Sequence, residues 1–291
     1  MGCDRRNDPL VSIVSDSQFP GYKVLAKIGE GAASTIYAVQ HARTKQVWAL
    51  KHVVRKTDKD VRFIEQVEQE YAVCERLDHP NIRRVEKLIR NRKMFRVIDV
   101  VMLMEFVDAD TIDQRDASNL RFTLDIFIQV ARALTHMHER GFVHADLKPT
   151  NIMVDERGVV KLIDLGQACE VGTVKKRIQG TPGYMAPEQA HREAITERTD
   201  VYNFGATMYW ILTREVIPTA LPPSDERKGL YSGAIDAEQV PLPPPPSARN
   251  GAVPETLSSL ILECVAPKSA DRPQTMAAVL RTLEAIRQEL T

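Results

Sequence analysis

The residues best suited to chemistry lie in one short stretch, His144-Ala145-Asp146-Leu147-Lys148-Pro149-Thr150-Asn151, which runs into the apolar Ile152-Met153-Val154. A carboxylate, an ammonium and a carboxamide therefore sit within one turn-sized segment. Phosphoryl transfer needs a carboxylate to orient a hydroxyl and accept its proton, a cation near the γ-phosphate, and an oxygen ligand for Mg²⁺. Asp146, Lys148 and Asn151 supply those chemistries. Asp164 closes the apolar run Lys161-Leu162-Ile163 and precedes Leu165-Gly166. Such a carboxylate suits a divalent ion, although Asp-x-Gly alone more often marks only a turn.

Two further signals lie toward the N-terminus. Gly29-Glu30-Gly31-Ala32-Ala33-Ser34 fits G-x-G-x-x-G with Ser34 in place of the last glycine, and Ile36 follows it. A small-residue loop lets backbone N–H groups approach phosphates closely. Its setting between two strands argues against the dinucleotide fingerprint, which must open a helix. Ala49-Leu50-Lys51 then puts a lysine at a strand end, within reach of nucleotide phosphates or simply in solvent. Glu70 on the next helix could hold that ammonium. Glu65, Glu68 and Glu75 compete for the role, and spacing to His79-Pro80 selects Glu70.

These groups need a scaffold. Tyr22–Ile28, Thr35–Val39 and Val47–Val54 read as strands, and Val97–Val107 as a buried one. Ile64, Val67, Tyr71, Cys74 and Leu77 recur at helical spacing, and His79-Pro80 ends that helix. Polar Asp108–Asn119 is the expected hinge between lobes. Helical spacing returns at Leu124, Ile128, Ala131, Leu134 and His138, and helices are expected around Thr199–Thr213 and Leu257–Val265. The proline-rich stretch Pro218–Pro254 is expected to be an extended loop, with residues 241–246 offering a possible partner site.

Composition sets the limits. Lys plus Arg equals Asp plus Glu at 39 each, so no overall field favours nucleic acid or an anionic membrane. Cys3, Cys74, Cys169 and Cys264 are scattered, without zinc-like spacing, as expected of reduced thiols in the cytoplasm. No apolar run reaches the roughly 18–20 residues of a membrane span, so no membrane segment is expected. Met1-Gly2-Cys3 is a poor acylation signal because Arg6 stands where Ser or Thr is needed.

In order, these motifs resemble those of the eukaryotic-type protein-kinase family, and particularly its bacterial serine/threonine branch. Gly180-Thr181-Pro182-Gly183-Tyr184-Met185-Ala186-Pro187-Glu188, Asp200-Val201-Tyr202-Asn203-Phe204-Gly205 and Asp271-Arg272-Pro273 extend the match. The resemblance implies an α+β bilobal fold: a tail over 1–21, then a domain over 22–287 with a β-rich N-lobe of about 22–106 and a mostly helical C-lobe of about 107–287. It implies ATP with Mg²⁺, or Mn²⁺ in its place, a protein substrate, and no nucleic acid partner. Ile28, Ile36, Ala49 and Met153 would enclose adenine, Glu105 and Val107 would offer it backbone groups, and Met104 would be the gatekeeper. Gly29, Glu30, Gly31, Ala32, Ala33 and Ser34 would cover the phosphates. Lys51 would contact phosphates and Glu70, Asn151 and Asp164 would hold metal, Asp146 would orient the hydroxyl, and Lys148 would neutralise the γ-phosphate. Glu188 and Arg272 would form a buried ion pair, while Cys74, His144 and Leu165 would stack as a structural spine. Lys148 with Thr181 is similar to the serine/threonine pattern rather than the tyrosine one.

The main departure is Ala145, where the family usually carries an arginine that receives an activation-loop phosphate. Leu165 and Ser34 are milder departures. A nucleotide-binding pseudokinase is the competing expectation, opposed by retention of Lys51, Asp146, Asn151 and Asp164. A small-molecule phosphotransferase is another, opposed by Ala186-Pro187-Glu188.

Overall fold

A computed structural model describes residues 19–31, 33–116, 118–221 and 240–290. Ala32, the tail up to residue 18 with Cys3, and residues 222–239 of the proline-rich stretch lie outside the described residues. The chain divides into two compact units, one built from residues up to Tyr71 with Val85–Phe106, the other from Ala72–Arg84 with Val107 onward.

The first unit is an antiparallel sheet and one helix. Strands β1 (Tyr22–Glu30), β2 (Ser34–His41), β3 (Val47–Val54), β4 (Val85–Lys93) and β5 (Arg96–Glu105) pair in the order β1-β2-β3-β5-β4, and α1 spans Val61–Cys74. Side chains alternate across a strand, so each face builds its own core. Ala49, Val53, Val100, Met102 and Met104 pack with Ile64 and Val67 of α1. Val39, Trp48, Leu50, Val101 and Leu103 close the opposite face with Phe19.

The second unit is mainly helical. It contains α2 (Leu120–Glu139), α3 (Pro187–His191), α4 (Glu197–Thr213), α5 (Pro246–Arg249), α6 (Glu255–Cys264) and α7 (Met276–Glu289). Short strands β6 (Asp110–Thr111), β8 (Ile152–Val154) and β9 (Val160–Leu162) form one sheet, and β7 (Phe142–Val143) pairs with β10 (Cys169–Glu170). The architecture is therefore α+β. In the described part of the proline-rich stretch, regular structure is limited to a one-turn helix that Pro246 starts, a position where its missing N–H costs nothing. The expected hinge, likewise, contains β6 and a 3₁₀ turn at Ile112–Gln114.

Gly205 shows why α4 and α6 approach so closely. A β-carbon there would lie 2.6 Å from Cys264 Cβ and 2.9 Å from Val265 Cγ1. Gly205→Ala is expected to cost ~1–3 kcal/mol through overpacking, despite alanine's better helix propensity. The urea midpoint would report it; an unchanged or raised midpoint would show that α6 gives way freely.

Candidate active site

In the first unit the sheet delivers Lys51 to the face that packs on α1. Ile36, Lys51 and Met102 form one cross-strand rung, and Ala38, Ala49 and Met104 the next. Glu70 follows Val67 by one helical step and so faces the same sheet surface. Its carboxylate accepts from Lys51 Nζ at 2.6 Å, with the Glu70 side chain only 2% exposed. Geometry thus chooses Glu70 over its neighbours, and Glu68 instead pairs with Arg90.

The glycine-rich loop is drawn tight by a Gly31 N–H donating to the Ser34 carbonyl at 2.8 Å. A β-carbon on Gly31 would stand 2.8 Å from Ser34 Oγ, so the serine side chain would have to turn away to admit one. Ala33, Ser34 and Ile36 are half-buried, Glu30 is exposed and bonded to Lys27, and Gly29 pairs across the hairpin with Ile36. Ile28 is 49% exposed and is not a core residue, whereas Ala49 and Met104 are buried in the core beside α1. Glu105 pairs opposite Trp48 at the end of β5. Val107 and Met153, in the second unit, are half-buried.

The second unit gathers the remaining groups. Thr181 Oγ1 donates to Asp146 Oδ1 at 2.9 Å and accepts from Lys148 Nζ at 3.0 Å. Lys148 also lies 3.3 Å from Asp146 Oδ2. Both carboxylate oxygens are therefore oriented by named partners. Asn151 donates from Nδ2 to the Asp146 carbonyl at 2.9 Å, a bond that does not involve its Oδ1. The Asn151 carbonyl accepts from Ile163 N at 3.0 Å, tying the strand before Asp164 to the same loop. Asp164 itself adopts φ 61, a left-handed conformation uncommon outside glycine that aspartate tolerates better than most. Hard oxygen donors from Asn151 and Asp164 fit Mg²⁺ or Mn²⁺ rather than a soft metal.

Sequence reasoning missed what holds this loop. Ala145 also adopts φ 61, and the strain is offset by the wholly buried Asp200. Its carboxylate accepts from His144 N, Ala145 N and His138 Nε2, each at 2.8 Å. Burial alone pushes the Asp200 carboxyl upward, but these bonds and the nearby imidazoles outweigh it and hold it below the usual range. Gln189 adds a second brace, donating to the Ala145 carbonyl at 2.7 Å while accepting from Ala186 N and Asn203. Asp200 lay within a recognised motif without a role, and Gln189 carried no signal in the sequence.

Cys74, His144 and Leu165 are all buried, and His144 Nδ1 accepts from Asp146 N at 3.3 Å, a structural contact. Ala145 packs in an apolar cluster with Val143, Cys169 and Ile195, so no guanidinium occupies its place. The segment beyond it is held by backbone bonds instead: Gly172 N donates to Ile195 O, and Ile195 N to Thr173 O. Lys175 Nζ donates to the Gln167 carbonyl at 2.6 Å, and burial lowers its pKa. Glu188 and Arg272 meet as a bidentate pair at 2.8 and 2.9 Å.

Comparison with known proteins places this geometry in context. Residues 22–282 match the family model described as the protein kinase domain. The chain is 26% identical over 275 residues to a probable serine/threonine-protein kinase of Clostridium acetobutylicum, covering 91% of this chain and 40% of that protein. It is 27% identical over 263 residues to the serine/threonine-protein kinase PrkC of Bacillus subtilis, covering 87% and 38%. With the serine/threonine-protein kinase pkn3 of Myxococcus xanthus it shares 30% identity over 288 residues, covering 92% and 50%. The chain thus spans half or less of the length of these relatives.

Proposed function

This chain belongs to the protein kinase family, and from that premise we infer that it transfers the γ-phosphate of ATP to serine or threonine hydroxyls of protein substrates, through a catalytic domain over residues 22–287. The observation that carries the reading is the Asp146–Thr181–Lys148 arrangement, a carboxylate held in one orientation beside a cation and a threonine. Asp146 orients the acceptor hydroxyl and takes its proton, and Lys148 neutralises charge on the phosphoryl group. Lys51, held by Glu70, binds the α- and β-phosphates, beneath backbone groups of Gly29–Ser34. Contact with adenine is assigned to Ile28, Ile36, Ala49 and Met153, the gatekeeper role to Met104, and hydrogen bonding to the base to the backbone of Glu105 and Val107. Asn151 and Asp164 would hold Mg²⁺, or Mn²⁺ in its place, and the ion would supply positive charge to offset the phosphate oxygens. Cys74, Cys169 and Cys264 are buried thiols outside any disulfide, the state expected in a reducing cytoplasm. Among the described residues no helix is long and apolar enough to cross a membrane. Pro241, Leu242, Pro244 and Pro245 are exposed and would meet any partner of the 241–246 segment, since Pro243 and Pro246 are buried.

The apolar surroundings of Ala145 lead to a regulatory expectation. The Thr173 hydroxyl already donates to the Glu170 carbonyl at 2.6 Å, and backbone pairing with Ile195 orders the segment without a phosphate. Thr173→Ala should retain kcat within about threefold.

The test is to incubate the protein with Mg²⁺, γ-labelled ATP and a generic protein acceptor, beside Asp164→Asn and Thr173→Ala, and to identify the labelled amino acid. Phosphoserine or phosphothreonine is expected from the unsubstituted protein and Thr173→Ala, and none from Asp164→Asn. Phosphotyrosine alone, or ATP binding without any transfer, would overturn the proposed activity. Failure of Thr173→Ala alone would overturn only the regulatory expectation.

A further inference from the structure

The β4–β5 hairpin ends in a two-residue turn, Met94-Phe95, between the paired Lys93 and Arg96. Met94 is 87% exposed and Phe95 95%, the two most exposed large apolar side chains among the described residues. Met94 holds φ 55. A two-residue hairpin turn with positive φ at its first central position favours glycine there, which adopts it at little cost. Methionine and phenylalanine here serve neither the turn nor solubility, and such local conflicts with folding collect at functional positions.

Cations surround this apex. Arg92, Lys93 and Arg96 are all exposed, and Arg90 is already paired with Glu68. The nearest acidic side chain along β5, Asp99, is occupied by His52 and Asn91. Lysine and arginine on an edge strand ordinarily prevent edge-to-edge association, and β4 is an edge strand. That role does not explain an apolar tip, which works against it.

We propose that this hairpin is a peripheral membrane contact, in which Met94 and Phe95 enter the interfacial region of a bilayer while Arg92, Lys93 and Arg96 meet anionic headgroups. A protein partner fits the observations less well. Specific protein interfaces bury roughly 800 Å² on each side with matched shapes, and a two-residue convex tip offers only a fraction of that. A bilayer needs no matching groove: it accepts each apolar side chain, and its anionic surface attracts nearby cations over about one Debye length, ~8 Å at physiological salt. Zero net charge of the whole chain makes this a local contact rather than general adhesion.

The experiment is co-sedimentation of the full chain with phosphatidylcholine vesicles, with and without phosphatidylserine, over a series of salt concentrations. It reads binding alone and does not depend on phosphotransfer. Binding to the serine-containing vesicles is expected to exceed that to phosphatidylcholine by roughly tenfold or more and to fall with added salt. Met94→Gly with Phe95→Ser should lower it by roughly tenfold while leaving the melting temperature equal or higher, because position 94 alone holds positive φ and glycine adopts it at little cost. Arg92→Glu with Arg96→Glu should abolish the preference for phosphatidylserine. Equal binding to both vesicles, unchanged binding by the turn variant, or no binding at all would overturn the proposal. The last result would leave an acidic groove on a protein as the occupant of this tip.

Discussion

Asp146→Asn is expected to lower kcat by roughly 10²–10⁴, the usual contribution of a positioned general base. The carboxamide keeps the size of the carboxylate and can still bond Thr181, so the loop should survive. It cannot accept a proton from the attacking hydroxyl, and it weakens the attraction that places Lys148 3.3 Å from the carboxylate. Asp146 binds no nucleotide in this reading, so KM for ATP should stay within about threefold and the loss should fall on kcat. Melting temperature should change little, because the loop is anchored by Asp200 and Gln189 rather than by the Asp146 side chain. Steady-state kinetics at saturating ATP decide the matter. A kcat within threefold of the unsubstituted protein would remove Asp146 from the base role and shift attention to positioning alone.

Arg272→Met should produce the largest loss of stability, ~3–5 kcal/mol, as expected when one member of a buried ion pair is removed. The Arg272 side chain is fully buried and all five of its N–H donors are used. Two meet Glu188, and the others meet the carbonyls of Ala266, Arg198 and Pro267. Removing them leaves a buried carboxylate supported by the Thr199 hydroxyl, with three carbonyls deprived of a donor. For a domain of this size the melting temperature should drop by roughly 10 °C. Arg272→Lys should recover little, because three donors on a compact head cannot reproduce a planar fork. Adding Glu188→Gln to Arg272→Met should restore part of the loss, since the penalty lies mostly in the uncompensated charge. Additive losses in that double variant would show that packing against Tyr202, rather than charge, dominates the site.

The parts legible in the sequence were those whose signal is contiguous. Asp146, Lys148 and Asn151 act from a single loop, so their types and spacing appear together along the chain. The strands β1, β2, β3 and β5 carry enough apolar, β-branched content to be recognised. Strand β4, VEKLIRNRK, is too polar for that and exists because β5 offers it a pairing edge. Helix α7 was overlooked although Met276, Val279, Leu283 and Ile286 recur at helical spacing and Thr275 caps it, so a signal was present.

What the sequence by itself determined is the family and the residue types available for catalysis. Spacing to His79-Pro80 pointed to Glu70 among four nearby glutamates, but the sequence could not show the carboxylate turned toward Lys51, which only the packing of α1 on the sheet decided. Nor could it show that Asp200, far along the chain, holds His144 and Ala145 by their backbone N–H groups. The physical reason is the same in both cases. Side-chain chemistry is local and can be read from residue type, whereas the orientation of a buried charge depends on donors brought to it from distant segments, and only the tertiary fold supplies them.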